Sequence, residues 1–135
     1  MIVEWREDLT TGNREIDDQH KELFRRFNSL LDSCRRGEGK EEVLNMFIFL
    51  GDYVKAHFST EEQLQQEYDY PGYRAHKEQH DWFVGEFRKL EGQLVAEGAS
   101  FLLVIQTNQF IVDWLIRHIS GTDKELADFL RTVAV

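Results

Sequence analysis

The sequence predicts an all-α fold, an up-down-up-down antiparallel four-helix bundle with an N-terminal arm and a short C-terminal helix, forming one domain over residues 1–135. Three observations carry this prediction. Apolar residues recur at three- and four-residue spacing in four long segments. Glycine and proline clusters separate those segments at short intervals. No segment shows the strict alternation of a half-buried strand, and there is no internal repeat or low-complexity tract.

The first helix is expected to begin near Asp17, with Leu23, Phe24, Phe27, Leu30 and Leu31 on one face, and to stop at Gly37-Glu38-Gly39. The second runs from about Lys40 to Tyr68, its inward seam formed by Val43, Phe47, Leu50, Val54, His57, Glu61 and Leu64. Tyr68-Asp69-Tyr70-Pro71-Gly72 interrupts it, since proline lacks a donor and glycine disfavours continuation. The third helix carries His76, His80, Phe83, Phe87, Leu90 and Leu94 on one face and ends at Gly98. The fourth covers roughly Ser100 to Ile119, with Phe101, Val104, Asn108, Ile111, Leu115 and His118 inward. After a break at Ser120-Gly121, Thr122-Asp123-Lys124-Glu125 has the form of a capping box that opens a terminal helix from Asp123 to about Val133. Helices of about 20 residues, each roughly 30 Å long, joined by short loops, make sequential neighbours antiparallel.

Composition narrows the functional classes. With 41% hydrophobic and 30% charged residues and a single proline, the chain reads as a helix-rich globular protein and not a disordered one. A net charge of −9 argues against a nucleic-acid partner, because phosphate binding needs clustered Lys and Arg. The N-terminus lacks a basic start followed by an apolar run. The most apolar stretch, Phe101 to Ile119, is interrupted by Gln106, Asn108, Gln109, Asp113, Arg117 and His118, so no membrane insertion is expected. The lone Cys34 has no partner for an intrachain disulfide. A soluble, cytoplasmic protein is the expectation.

All five histidines fall on the inward seams. His57 and Glu61 are four apart on the second helix, and His76 and His80 are four apart on the third, so each pair projects from one face. Alternating chain direction then brings His20 early in the first helix, the late part of the second, the early part of the third and His118 at the end of the fourth to one level. Asp123, just beyond, can turn its carboxylate into the same space. Singly, each residue has an ordinary reading as a core histidine, a surface Glu or a helix-start Asp. Together, seven buried polar groups at one level would be costly unless something cationic paired with them. Seven ligands exceed one tetrahedral zinc, and an imidazole-rich set with two carboxylates suits two transition-metal ions bridged by the carboxylates.

The runs Ile16-Asp17-Asp18-Gln19-His20-Lys21-Glu22-Leu23-Phe24, His57-Phe58-Ser59-Thr60-Glu61-Glu62, His76-Lys77-Glu78-Gln79-His80 and Trp114-Leu115-Ile116-Arg117-His118-Ile119-Ser120-Gly121-Thr122-Asp123 resemble the hemerythrins, particularly the bacterial single-domain ones. The likeness spans nearly the whole chain, from Trp5 to the last helix. It implies two non-haem iron ions, one held by His76, His80 and His118 and the other by His20 and His57. Glu61, Asp123 and a solvent-derived oxygen would bridge them. It further implies reversible dioxygen binding at the less crowded iron, in a carrier, store or intracellular supplier and not an enzyme. Leu23, Phe58, Trp114, Leu115 and Ile119 resemble the family's apolar pocket residues, although a bundle core needs such residues anyway. Three positions after Asp123, where some members carry Tyr, this chain has Leu126, a departure expected to alter hydrogen bonding around the site. The rival functions are a di-iron oxidase or peroxidase, a nitric-oxide-handling enzyme, and an oxygen sensor acting through a partner. Leu102, Leu103, Ile105, Val112 and Ile116 leave the fourth helix apolar on more than one side, which fits either burial within a monomer or a homodimer contact.

Overall fold

The computed structural model describes residues 4–37, 40–97 and 101–133. The chain folds into α1 (Arg14–Arg35), α2 (Lys40–Glu67), α3 (Tyr73–Glu97), α4 (Phe101–Arg117) and α5 (Lys124–Val133), preceded by one 3-10 turn over Glu7–Leu9. No strand occurs among the described residues. The expected stops at Glu38-Gly39 and Gly98 and the start at Ser100 lie outside the described residues. So do the side chains of Cys34, Phe101, Leu102, Leu103, Val104 and Asn108. No described helix is long and apolar enough to cross a membrane.

The first helix starts at Arg14, three residues before the expected Asp17. Asn13 caps it, its side-chain oxygen accepting the Ile16 N–H at 3.1 Å. Asp17 has a different task. Its carboxylate accepts the Thr11 N–H and hydroxyl at 2.8 Å each and the Gly12 N–H at 3.2 Å, which ties the N-terminal arm onto α1. The arm also buries Leu9 in the main core and lays Trp5 against Phe24. Lys124 and Arg131 of α5 donate to the carbonyls of Asp8 and Thr11.

Helix α1 packs on α2 and α4, and α2 on α3. Helices α3 and α4 meet through aromatic rings, with Phe83 stacked on Trp114 at 4.3 Å between ring centres. The expected seams are inward: Val43, Phe47, Leu50 and Val54 of α2 and Phe83, Phe87 and Leu94 of α3 are buried. Gly51 sets the α2–α3 approach, because a Cβ there would stand 2.6 Å from the Phe87 ring. That ring stacks on Phe47 at 4.2 Å. Burying each such side chain contributes about 1.5–3 kcal/mol, so this half of the bundle is held by apolar packing.

Helix α2 ends in a Schellman motif. Tyr70 N–H bonds Gln65 C=O at 2.8 Å and Asp69 N–H bonds Gln66 C=O at 3.3 Å. Asp69 takes the left-handed position at φ 54°. A residue with a Cβ is strained there, so Asp69→Gly is expected to raise stability by about 1 kcal/mol, read from denaturant midpoints at unchanged slope.

The largest departure from the sequence expectation follows α4. No break or capping box occurs at Ser120–Glu125. The backbone stays helical and widens into a π turn over His118–Asp123 that runs directly into α5. Thr122, expected as a cap, donates its hydroxyl to Gln79 Oε1 at 2.9 Å. Where hydrogen bonds reach to the fifth residue, positions i and i+5 share a face. His118 and Asp123 therefore point the same way.

Candidate metal centre

The structure brings all seven predicted residues to one level of the bundle and buries each of them to within 3% of full enclosure. Asp123 Oδ2 lies 2.9 Å from His20 Nε2, and Asp123 Oδ1 lies 3.1 Å from both His76 Nε2 and His118 Nε2. Glu61 Oε1 lies 3.2 Å from His57 Nε2 and 3.5 Å from His80 Nε2. The His118 Nε2 atom is 3.1 Å from the Nε2 atoms of both His76 and His80.

For four of the five rings the outer partner decides which nitrogen carries the proton. His57 Nδ1 faces Gln19 Oε1 at 2.6 Å, and the Gln19 amide nitrogen is engaged by Thr60 Oγ1 at 3.4 Å. His118 Nδ1 faces Gln79 Oε1 at 2.9 Å, and His80 Nδ1 faces Glu62 Oε2 at 2.9 Å. These acceptors make Nδ1 the donor and leave Nε2 bare. His76 Nδ1 lies 3.1 Å from the Gln65 amide, whose buried oxygen lacks a partner. Turning that amide over presents its oxygen to His76 and satisfies both groups. The inward Nε2 atoms of His57, His76, His80 and His118 then carry lone pairs that face one another and two carboxylates.

Such a set is suited to holding a cation, which would offset the cost of burying its polar groups. Both oxygens of Glu61 and of Asp123 and both ring nitrogens of His20 are buried without aligned hydrogen-bond partners. Burial pushes the Glu61 carboxyl well above its ordinary range, with Asp123 adding to the effect. Burial opposes ionisation of Asp123 as well, but the nearby His118, His20 and His76 rings outweigh it and hold that carboxyl well below the ordinary range. Burial and the neighbouring His20 push His57 down to about 3, and burial with His76 and His118 pushes His80 down further. The His57 and His80 imidazoles are thus kept neutral, as metal ligands must be.

The spacing fits the donors to a cation. Nitrogens bonded at about 2.1 Å and at right angles around one ion lie roughly 3.0 Å apart, close to the 3.1 Å separations on His118. The ligand atoms form two overlapping groups, Glu61, His76, His80, His118 and Asp123 in one and His20, His57, Glu61 and Asp123 in the other. Only the two carboxylates belong to both.

Apolar side chains surround the rings. Phe58 stacks on His80 at 3.8 Å and Trp114 on His118 at 4.4 Å. Leu23, Leu115 and Ile119 are buried in the same core cluster. Leu126 packs with Ile16 and Leu130 in a second cluster, against Leu64, Tyr68, Tyr70 and Phe129, and so brings no hydrogen bond to the site. Sequence reasoning missed the four outer partners, Gln19, Glu62, Gln65 and Gln79. One signal was present: Gln65 sits four residues after Glu61 and so shares the inward face of α2 with His57 and Glu61.

Residues 11–130 match the family described as the hemerythrin HHE cation binding domain. The bacteriohemerythrin of Methylococcus capsulatus (strain Bath) is 37% identical over 108 residues, covering 80% of each chain. A hemerythrin-like protein of Naegleria gruberi is 33% identical over 119 residues, covering 88% of this chain and 86% of that one. A crystal structure of wild-type hemerythrin superposes with a TM-score of 0.84 at 32% identity, covering 95% of this chain and 97% of that one. Matched along most of its length and carrying a buried His/Glu/Asp cluster suited to metal, the chain belongs to the hemerythrin family.

Proposed function

We propose that this chain binds dioxygen reversibly at two iron ions, as a carrier, store or supplier of oxygen. One ion is assigned to His76, His80 and His118, the other to His20 and His57, with Glu61 and Asp123 shared between them. The observation that carries the reading is the inequality of the two ligand groups: five donor residues surround one position and four surround the other. A bridging oxygen from solvent would bring the donors to six in the first group and only five in the second. The side facing His20 and His57 is therefore the open one.

When bound, a pair of ferrous ions supplies the electrons that dioxygen needs to attach. The chain's own residues keep that attachment reversible. Phe58 and Trp114 cover the His80 and His118 rings, and Leu23, Leu115 and Ile119 fill the core beside them, which excludes water from the site. The chain has five histidines, and all are spent as ligands, so none is left as a general acid or base for turnover.

Iron analysis and gas titration on one sample test the proposal. Two irons per chain are expected, together with an absorption band that appears under oxygen and disappears under vacuum. Sustained oxygen consumption with an electron donor would show an enzyme instead. His20→Ala is expected to abolish the oxygen-dependent band while retaining the ion on His76, His80 and His118. Zinc alone in the purified protein, with His20→Ala silent, would end the reading.

A further inference from the structure

The five ligand rings are not held alike. His57, His76 and His118 have their outer nitrogens against the neutral amides of Gln19, Gln65 and Gln79. His20 Nδ1 is buried without a partner. His80 alone faces a carboxylate, Glu62 Oε2 at 2.9 Å. Glu62 lies at the rim of the bundle with its side chain 19% exposed, and Lys77 Nζ stands 3.7 Å from its other oxygen. Lys77 is in turn 3.1 Å from Asp81. On the opposite side, Phe58 lies flat against the His80 ring, tilted by only 3°, so the ring cannot turn away from Glu62 without losing that stack.

An anionic acceptor draws the Nδ1 proton outward and leaves more electron density at Nε2 than a neutral amide does. A ligand so enriched stabilises the higher oxidation state of the ion it holds. We propose that Glu62 is a positioning residue acting through His80, and that its charge makes the ion on His76, His80 and His118 the more readily oxidised of the pair. This inference rests on the di-iron reading above. It assigns the chain a built-in electronic asymmetry: the ion without the open position carries the richer ligand set, while the open ion is left with His20 and His57, neither of which faces an anion on its outer side.

Glu62→Gln tests it, because the amide keeps an acceptor oxygen and loses the charge. Iron-loaded protein would be titrated by spectroelectrochemistry, with iron per chain measured on the same samples. The expected result is unchanged iron content and an oxidised-to-reduced ratio shifted about tenfold toward the reduced form at fixed poise, or ~59 mV for a one-electron couple. Adding Gln79→Glu to Glu62→Gln places an anion behind His118 on the same ion and should recover part of the shift. In the wild-type background Gln79→Glu alone should move the ratio the opposite way, which keeps the test decisive if Glu62→Gln folds poorly. Wild-type potentials in Glu62→Gln, or in Gln79→Glu where Glu62→Gln yields no folded protein, would overturn the inference. Iron uptake without dioxygen binding would overturn only the functional reading, whereas no iron uptake by the wild type would overturn both.

Discussion

Glu61→Gln is expected to empty the site of its paired ions while making the metal-free protein more stable at neutral pH. Glu61 is fully buried, and its Oε1 reaches toward His57 on one side and His80 on the other. It is one of only two residues common to both ligand groups, so its loss weakens both positions together. Changes one shell further out typically cost 10–100-fold in affinity, and loss of a shared ligand should cost at least about 100-fold. The apo fold responds with the opposite sign. A buried carboxyl whose folded pKa lies far above its unfolded value disfavours folding once the pH passes that unfolded value. An amide of the same shape carries no such penalty. Iron per chain and apo-protein denaturation midpoints, measured on one preparation, check both signs. Full iron content in Glu61→Gln would remove Glu61 from the ligand set.

Metal removal is the second large effect, and it should expose a decline of stability on the alkaline side that the loaded protein lacks. In the apo protein His57 is pushed down to about 3 from an ordinary 6.5, and His80 is pushed down further. Below pH 6.5 the unfolded chain binds protons at these positions and the folded chain does not. Each histidine therefore removes stability as pH falls, by about 1.4 kcal/mol per pH unit, with His57 acting until about pH 3. Glu61 acts in the other direction, because the folded form retains a proton that the unfolded form gives up above 4.5. From 4.5 to 6.5 the two histidines outweigh one carboxyl and stability rises. Above 6.5 only Glu61 remains of the three, and stability declines toward its raised pKa. Apo stability should thus peak near pH 6.5. Metal takes the place of the Glu61 proton, so loading should erase the alkaline decline and add stability as RT ln(1 + [L]/Kd). Urea denaturation from pH 4.5 to 9, with and without chelator, reads this out. A flat apo profile between pH 5 and 8 would contradict it.

The fold was readable because its causes are periodic. Val43, Phe47, Leu50 and Val54 recur at helical spacing, and Pro71-Gly72 interrupts them where α2 gives way to α3. The placement of His20, His57, Glu61, His76 and His80 followed from that period and from chain direction. The region after His118 resisted because Gly121 and the Thr-Asp-Lys-Glu tetrad carry ordinary signals for a break and a cap, and tertiary contacts overrode them. The Thr122 hydroxyl is drawn to Gln79, and the backbone widens instead of stopping. The Gln and Glu residues behind the imidazoles were hidden for another reason: each serves a ring on a different helix or turn. Gln19 precedes His20 yet holds His57, and Gln79 precedes His80 yet holds His118. Local spacing has no access to such pairings.

The 2.9 Å approach of Asp123 to His20 has a consequence for how the protein comes to exist. These are the first and last of the seven residues along the chain, so their meeting closes a loop that encloses nearly the whole bundle. Loop closure of that length is entropically late, and no shorter segment contains both carboxylates with all five imidazoles. During synthesis, an emerging chain shows His20, His57 and Glu61 long before Asp123 leaves the ribosome. Incomplete chains thus present imidazole clusters lacking the carboxylate that joins both halves, and the paired arrangement can form only once Asp123 has emerged. The same topology gives Asp123 weight out of proportion to its place in the order: a chain truncated before it keeps six of the seven side chains and forfeits the paired site.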